Sequence, residues 1–159
     1  MIRDALAADA SAIQSVADAA WRDTYARLLQ PATIEAFVSG AYSVDRLERR
    51  IATHTVLVAE DGDGVVAFAD AMPNNDRLDL VAIYVRPDRR RRGAGRLFLA
   101  ELRGRFPGLP IAADVLDGNR KGEGFYERLG FVPRETIETD LFGEPVVERR
   151  WWLDARLDG

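Results

Sequence analysis

The chain has no cysteine and a single histidine among its 159 residues. Without cysteine, disulfides, thiolate nucleophiles and cysteine-based metal sites are excluded. The first six residues carry Arg3 and Asp4 with no apolar run after them, and no uncharged apolar run reaches the length of about 18 residues typical of a membrane span. We therefore expect a cytoplasmic protein without a metal, whose catalytic groups are carboxylates, hydroxyls or backbone amides.

Lysine is nearly absent, because Lys121 is the only one and the other 21 of the 22 basic residues are arginines. The net charge of −4 and the isoelectric point near 5.1 argue against a general nucleic-acid binder, which is normally basic over a whole face. No nucleic-acid or membrane partner is predicted. The alternative is an RNA- or DNA-binding protein that uses the arginine run at residues 89–92.

The length and the 47% content of apolar residues predict one domain over residues 1–159. Apolar periodicity predicts three helices in the first third, the first with Asp9 as its N-cap. A hairpin is predicted around residues 61–64. The predicted strands are 1–4, 55–59, 65–69, 78–85, 111–116, 131–137 and 145–153, with two later helices after residues 95 and 119.

The turn Arg90-Arg91-Arg92-Gly93-Ala94-Gly95 stands between a predicted strand and a predicted helix. Unpaired backbone N–H groups at a helix N-terminus bind anions, and glycines let a diphosphate approach that backbone. The alternative is a solvated basic turn. A Walker loop would need Lys followed by Ser or Thr, and a Rossmann turn would need a third glycine near the first strand, so both fit poorly.

Two segments resemble the GNAT acetyltransferase superfamily. Residues 79–95 are similar to its acyl-CoA strand and its Arg/Gln-x-x-Gly-x-Gly/Ala turn. Residues 119–131, Asn-Arg-Lys-Gly-Glu-Gly-Phe-Tyr-Glu-Arg-Leu-Gly-Phe, are similar to its Asn-x-x-Ala-x-x-Phe-Tyr segment, with Gly122 in place of alanine. The resemblance implies an α/β (α+β mixed) fold: a mixed, mostly antiparallel sheet of about seven strands flanked by helices, with a splayed parallel strand pair at the acyl-CoA site.

The resemblance also implies acetyl-CoA as co-substrate, with its diphosphate on the turn amides and its pantetheine arm along the preceding strand. A backbone N–H near the end of that strand would hold the oxyanion. The residues expected at acyl-CoA are Ile83, Tyr84, Val85, Arg90, Arg91, Arg92, Gly93, Ala94, Gly95, Arg96, Asn119 and Phe125.

Acetyl transfer to a primary amine requires a base for the ammonium and a proton donor for the sulfur. Tyr126 matches the family tyrosine thought to protonate the departing sulfur. Asp114 and Asp79, on the two strands flanking the expected site, match positions of a catalytic or substrate-binding glutamate, and Asp114 is favoured as the base. Each of the three residues could instead serve only packing or ion pairing.

The acceptor is predicted to be a small-molecule or peptide amine, in a pocket lined by Trp21, Tyr25 and the loop around Phe142. The alternative is a catalytically silent acyl-CoA-binding module. His54 is expected to be a surface or turn residue. One of the adjacent tryptophans at 151 and 152 must face outward, at an interface of a homodimer, in the acceptor pocket or at a covered core edge.

Overall fold

A single seven-stranded sheet organises residues 1–155, the part of the chain that this computed structural model describes. The strands are β1 Ile2–Asp4, β2 Thr55–Asp61, β3 Gly64–Pro73, β4 Leu78–Val85, β5 Ile111–Leu116, β6 Val132–Leu141 and β7 Glu144–Leu153. The helices are α1 Ala10–Tyr25, α2 Pro31–Ala41, α3 Val44–Thr53, α4 Ala94–Arg105 and α5 Arg120–Arg128, with short 3₁₀ turns at Ala7–Asp9 and Pro87–Arg89.

The strand order is β1-β2-β3-β4-β5-β7-β6, and every neighbouring pair is antiparallel except β4 and β5. The predicted mixed, mostly antiparallel sheet of about seven strands is therefore confirmed. The predicted elements occur in the predicted order, and the chief difference is that β3 and β6 run longer than their apolar patterns suggested. Both strands end in polar or exposed residues, which carry no periodic signal.

The parallel pair β4 and β5 is joined only at its beginning. Leu78 pairs with Ile111 and Asp79 with Ala112, and no later residues of the two strands pair. A bulge in β4 leaves Val81 without a partner on β3, and bulges bend a strand and increase its twist. The strands therefore diverge toward their carboxyl ends, as the splayed pair was predicted to do.

Each face of the sheet is covered by its own hydrophobic core. On one face α4 and α5 contribute Phe98, Leu102 and Tyr126. On the other face α1, α2 and α3 cover β2, β3 and β4, with Phe68 fully buried among them. Trp151 is buried in the first core. Trp152 lies on the opposite face, as strand alternation requires, and is only partly exposed there.

Asp9 stands at the N-cap position of α1, as predicted, but its side chain makes no capping hydrogen bond to that helix. Its carboxylate accepts a hydrogen bond from the Leu6 N–H at 2.7 Å and pairs with the Arg3 guanidinium at 2.8 Å. The residue therefore closes the 3₁₀ turn ahead of the helix, because that turn leads into α1 without a break.

His54 ends α3 as a turn residue, but its side chain does not face the solvent freely. Its Nδ1 lies 2.8 Å from a carboxylate oxygen of Asp70, whose side chain is only 1% exposed. Arg50 donates to the same carboxylate at 2.7 Å, donates to the Ala41 carbonyl at 2.9 Å and lies over the Tyr42 ring. A buried carboxylate requires such partners, which corrects the expectation of a surface histidine.

Within residues 1–155, no helix combines the length and the apolar character needed to cross a membrane.

Replacing Asp70 by asparagine tests this buried cluster. The change removes the charge that balances the mostly buried Arg50 guanidinium, so we expect the free energy of unfolding to fall by about 3 kcal/mol. Urea unfolding followed by circular dichroism measures it. Asp76→Asn is the matched control, because Asp76 is exposed and should change stability by less than about 0.5 kcal/mol. Equal midpoints for the two variants would contradict the prediction.

Candidate active site

A groove of about 870 Å³ follows the gap between β4 and β5. Its walls are β4, the turn before α4, the end of β5 and the whole inner side of α5. All twelve residues predicted for acyl-CoA line this groove, so the structure brings them together. The groove also holds three basic residues of α5 that sequence reasoning did not select. They are Arg120, Lys121 and Arg128.

The backbone of β4 supplies hydrogen-bonding groups to the groove. Beyond Asp79, β4 pairs with β3 on one side and, in the part of the chain that the structure describes, has no partner strand on the other. In an antiparallel pair, alternate residues direct their N–H and C=O groups away from the partner. Alternate peptide groups of Leu80–Val85 therefore face the gap, where an extended ligand can pair with them.

The turn before α4 has the backbone conformation of an anion site. Arg91 has a φ of 66° and Gly93 a φ of 84°, and α4 begins at the next residue, Ala94. Left-handed residues next to a helix N-terminus turn successive N–H groups toward one concave surface. The positive φ is what favours glycine at position 93. Lack of space is not the reason, because an ideal Cβ on Gly93 would have no neighbour within 4 Å.

Gly95 has a structural role in addition to the one predicted. It is buried, and an ideal Cβ on it would lie 2.5 Å from Cζ of the Phe125 ring. The glycine thus lets α4 and α5 approach closely at the groove, instead of only clearing space for a diphosphate. This close approach fixes the spacing between the turn and Phe125.

The arginines of the turn fall into two groups. Arg89 is paired with the carboxylates of Asp61, Asp63 and Asp88, which ties the turn to the β2–β3 hairpin. Arg90 donates to Asp23 of α1 at 2.6 Å. The second group, in which no described carboxylate lies within 4.0 Å of the guanidinium, consists of Arg91, Arg92 and Arg96.

Asn119 begins α5 by capping it. Its Oδ1 accepts a hydrogen bond from the Gly122 N–H at 3.1 Å. An ideal Cβ on Gly122 would lie 2.6 Å from Asn119 Nδ2, so the first turn of α5 packs closely against the capping side chain. The cap sets the start of the helix that carries Phe125 and Tyr126 into the groove.

Tyr126 is 9% exposed and lines the groove. Burial, with the nearby phenols of Tyr25 and Tyr42 and the carboxylate of Asp114, raises the pKa of Tyr126 above its ordinary value. Burial also raises the pKa of Tyr84, to which Tyr25 and Tyr42 add. All four tyrosines of the chain therefore gather around this site and stay protonated at neutral pH.

A second cavity of about 100 Å³ adjoins the groove. Five of its eleven lining residues are aromatic, so we call it the aromatic cavity, and the Trp21 ring stacks on Phe37 with centroids 3.9 Å apart. The indole Nε1 of Trp21 is buried and has no hydrogen-bond partner among the described residues. The lining residues are Trp21, Tyr25, Leu29, Phe37, Tyr42, Val81, Tyr84, Asp114, Leu116, Leu141 and Glu148.

Trp21 and Tyr25 thus line a cavity where an acceptor pocket was predicted, whereas Phe142 does not. Phe142 is 60% exposed and packs outside the cavity, edge-on to Phe37 and within 3.7 Å of the position of a Cβ on Gly40. Its neighbour Leu141 reaches the cavity instead.

The β6–β7 hairpin that carries Phe142 also holds α2 in place. Oε1 of Glu144 accepts hydrogen bonds from the Gln30 N–H at 3.0 Å and from the Thr33 hydroxyl at 2.7 Å. Gln30 is the N-cap of α2, so a distant carboxylate satisfies the start of that helix. The hairpin therefore fixes the cavity wall that α2 provides.

The two predicted carboxylates lie in different surroundings. Asp114 lines both the groove and the second cavity, and Arg150 donates two hydrogen bonds to it, at 2.8 and 3.1 Å. Asp79 does not line the groove, because it lies where β4 and β5 are still paired and is held by Arg77 at 2.7 Å. The structure therefore does not bring Asp79 to the site.

Glu148 on β7 is the carboxylate that sequence reasoning missed. It lines the second cavity, and burial together with the charge of Asp114 raises its pKa above the ordinary value, against the opposing effect of Arg150. The only sequence signal for it was alternation: Glu148, Arg150 and Trp152 share one face of β7. That signal could not show that the face borders a cavity.

The family model of the acetyltransferase (GNAT) domain matches residues 52–133, just over half of the chain. The protein belongs to the GNAT acetyltransferase family. No curated protein matches its sequence closely enough to be reported as a relative.

Solved structures share the fold over nearly the whole chain. The PaiA N-acetyltransferase of Thermoplasma acidophilum, solved with coenzyme A, is 23% identical with a TM-score of 0.77, covering 94% of this chain and 96% of its own. A GCN5-related N-acetyltransferase from Rhodopseudomonas palustris is 22% identical with a TM-score of 0.80, over 98% and 95%. A ribosomal-protein-alanine N-acetyltransferase from Brucella melitensis is 23% identical with a TM-score of 0.67, over 97% and 99%.

Gly95→Ala tests the close contact between α4 and α5. The added methyl group must push the Phe125 ring aside, so we expect a loss of about 1–3 kcal/mol in unfolding free energy and weaker binding of coenzyme A. Thermal unfolding and calorimetric titration measure the two effects.

Gly104→Ala is the matched control in the same helix. Nothing lies within 4 Å of its Cβ position, so it should be neutral or stabilise by up to about 1 kcal/mol. Combining Gly95→Ala with Phe125→Leu should restore part of the stability, because leucine lacks the ring atoms that clash. Equal behaviour of the two alanine variants would rule out this role for Gly95.

Proposed function

We propose that the protein is an N-acetyltransferase that transfers the acetyl group of acetyl-CoA directly to a primary amine. The observation that carries the proposal is the meeting of two cavities. Tyr25, Val81, Tyr84 and Asp114 line both the basic groove and the aromatic cavity, so ligands in the two would face each other. Direct transfer is favoured because the chain has no cysteine to form an acyl-enzyme.

The groove fits the chemistry of an acyl-CoA. The N–H groups at the start of α4 suit a diphosphate, and so do the guanidinium groups of Arg91, Arg92 and Arg96, which have no carboxylate partner within residues 1–155. The free edge of β4 suits the two amides of a pantetheine arm. Since Arg89 and Arg90 already have carboxylate partners, we expect them to shape the turn more than to bind the ligand.

We assign to Tyr126 the role of donating a hydrogen bond to the departing sulfur. Its raised pKa keeps the phenol protonated and therefore able to donate a hydrogen bond at neutral pH. A phenol is a weaker acid than a thiol, whose ordinary pKa is about 8.5. We therefore expect Tyr126 to stabilise the developing thiolate by hydrogen bonding and to pass on a proton that it recovers from the amide nitrogen or water.

Release of coenzyme A with a panel of amines tests the function. The panel includes an alkylamine, a polyamine, an amino acid, an aminoglycoside and a peptide with a free N-terminus. Because the protein has no thiol of its own, a thiol reagent reports only the coenzyme A released. Binding of acetyl-CoA with no release for any amine would instead identify a catalytically silent acyl-CoA-binding module.

Tyr126→Phe should lower kcat by about 100-fold, the lower range for loss of a general acid. Binding of coenzyme A should stay within about twofold, because the phenyl ring keeps the packing against Phe125 and Phe131. Steady-state kinetics and calorimetric titration measure the two quantities. An unchanged kcat would remove Tyr126 from the chemical step.

A further inference from the structure

Glu148 lines the aromatic cavity, but the acetyl transfer proposed above gives it no role. It lies on β7 opposite Leu116 of β5 and Ile137 of β6. Among residues 1–155, no guanidinium or ammonium group lies within 4.0 Å of its carboxylate. Arg150, two residues along the same face, directs its hydrogen bonds to Asp114 instead.

The titratable and charged groups that face Glu148 come from five segments. Tyr25 of α1, Tyr42 at the end of α2, Tyr84 of β4 and Asp114 of β5 line the cavity with it, and Arg150 lies beside it on β7. The phenols are neutral, and the positive charge of Arg150 is balanced by Asp114. The cavity wall therefore carries two carboxylates with a single cation beside them, and it favours a ligand that carries a positive charge.

The cavity opens toward the acyl-transfer groove at its acidic end. Asp114 belongs to both cavities, and so do Tyr25 and Tyr84. A small cationic group that enters the aromatic cavity therefore lies between Glu148 and the groove. Aromatic rings remove it from water, which favours its neutral form, while burial favours the neutral form of the glutamic acid as well. The pKa values of the ammonium group and of the Glu148 carboxyl are therefore brought closer together, which makes proton transfer between these two groups easier.

We propose that Glu148 is the catalytic base and that the acceptor it serves is an alkylammonium group without a neighbouring carboxylate. This inference rests on the acetyl transfer proposed above. The carboxylate of Glu148 accepts one N–H proton of the ammonium group, and the neutral amine attacks the thioester carbonyl carbon. The C–N bond forms and the C–S bond breaks.

Tyr126 and Glu148 account for the two protons that the nitrogen loses. The nitrogen loses its second proton as the amide forms, and this proton restores the one that Tyr126 gives to the sulfur. The proton on Glu148 passes to solvent, so that one proton is released for each amide and each coenzyme A formed. No oxidant, metal or covalent enzyme intermediate takes part.

Asp114 is less suited to this role in the described structure. Each of its oxygens already accepts a hydrogen bond from Arg150, so a substrate ammonium group would have to share both oxygens with a guanidinium group. Its charge instead raises the pKa of Glu148, so Asp114 is a positioning residue for the base. A zwitterionic amino acid would bring its own carboxylate toward both acidic groups and would be repelled.

Butylamine is the probe for the experiment, with glycine as the zwitterionic comparison. Wild-type protein with coenzyme A bound should bind butylammonium in a calorimetric titration, and Glu148→Gln should weaken this binding by at least about tenfold. In turnover with acetyl-CoA, Glu148→Gln should lower kcat/KM for butylamine by about 100-fold. Glu138→Gln is the matched control, because it makes the same change at an exposed position outside both cavities and should leave both values unchanged.

The pH dependence separates a base from a structural residue. The wild-type kcat/KM should fall as pH decreases, with a midpoint above the ordinary glutamate pKa near 4.5, because the ionised carboxylate is the active form. Glu148→Gln should abolish this acidic limb. Asp114→Asn should move the limb to lower pH, since it removes the negative charge that raises the pKa of Glu148.

Failure of the proposed acetyl transfer and failure of the role of Glu148 give different results. If butylammonium binds but no amine in the panel releases coenzyme A, the proposed acetyl transfer is wrong, and the role of Glu148 as its base is wrong with it. If coenzyme A is released and Glu148→Gln keeps the rate and the acidic limb, the function stands and the base is another group. Failure of butylammonium to bind, or equal use of glycine, overturns the proposed acceptor class.

Discussion

The site depends on one constraint: β4 and β5 are hydrogen-bonded at only two residue pairs and then part. A continuous parallel pair would bury its peptide groups in the ladder and leave no space beside them. The bulge at Val81 bends β4 at the point of separation. Beyond it, the same strand exposes its backbone to the groove and its side chains Val81 and Tyr84 to the aromatic cavity.

The arginines of this chain, which has a single lysine, take two structural roles. Arg50, Arg89 and Arg150 are held by carboxylates and fix Tyr42, the turn and Asp114 respectively. Five others line the groove with no described carboxylate within 4.0 Å, namely Arg91, Arg92, Arg96, Arg120 and Arg128. The ion pairs therefore leave positive charge available at the groove.

Much of the fold could be predicted from the sequence, because apolar periodicity and turn residues report local structure directly. The twelve residues predicted for acyl-CoA could be expected to lie together, since they fall within two short stretches of the chain, 83–96 and 119–125, and all of them line the groove. Glu148, the partners of His54 and the true neighbour of Gly95 could not be predicted. Each depends on contacts between segments far apart in the chain, such as Gly95 with Phe125 or His54 with Asp70, and no local pattern encodes those distances.

The capping of α2 by Glu144 joins two segments that both lie outside residues 52–133, the part matched by the family model. Glu148 and four of the five aromatic residues of the cavity come from those same outer segments, whereas the turn, α5 and the fifth aromatic residue, Tyr84, lie within the matched region. Substitutions in the outer segments can therefore alter most of the cavity wall without touching the turn or α5. The Glu144 link makes the two outer segments one structural unit, which can vary in sequence independently of the groove.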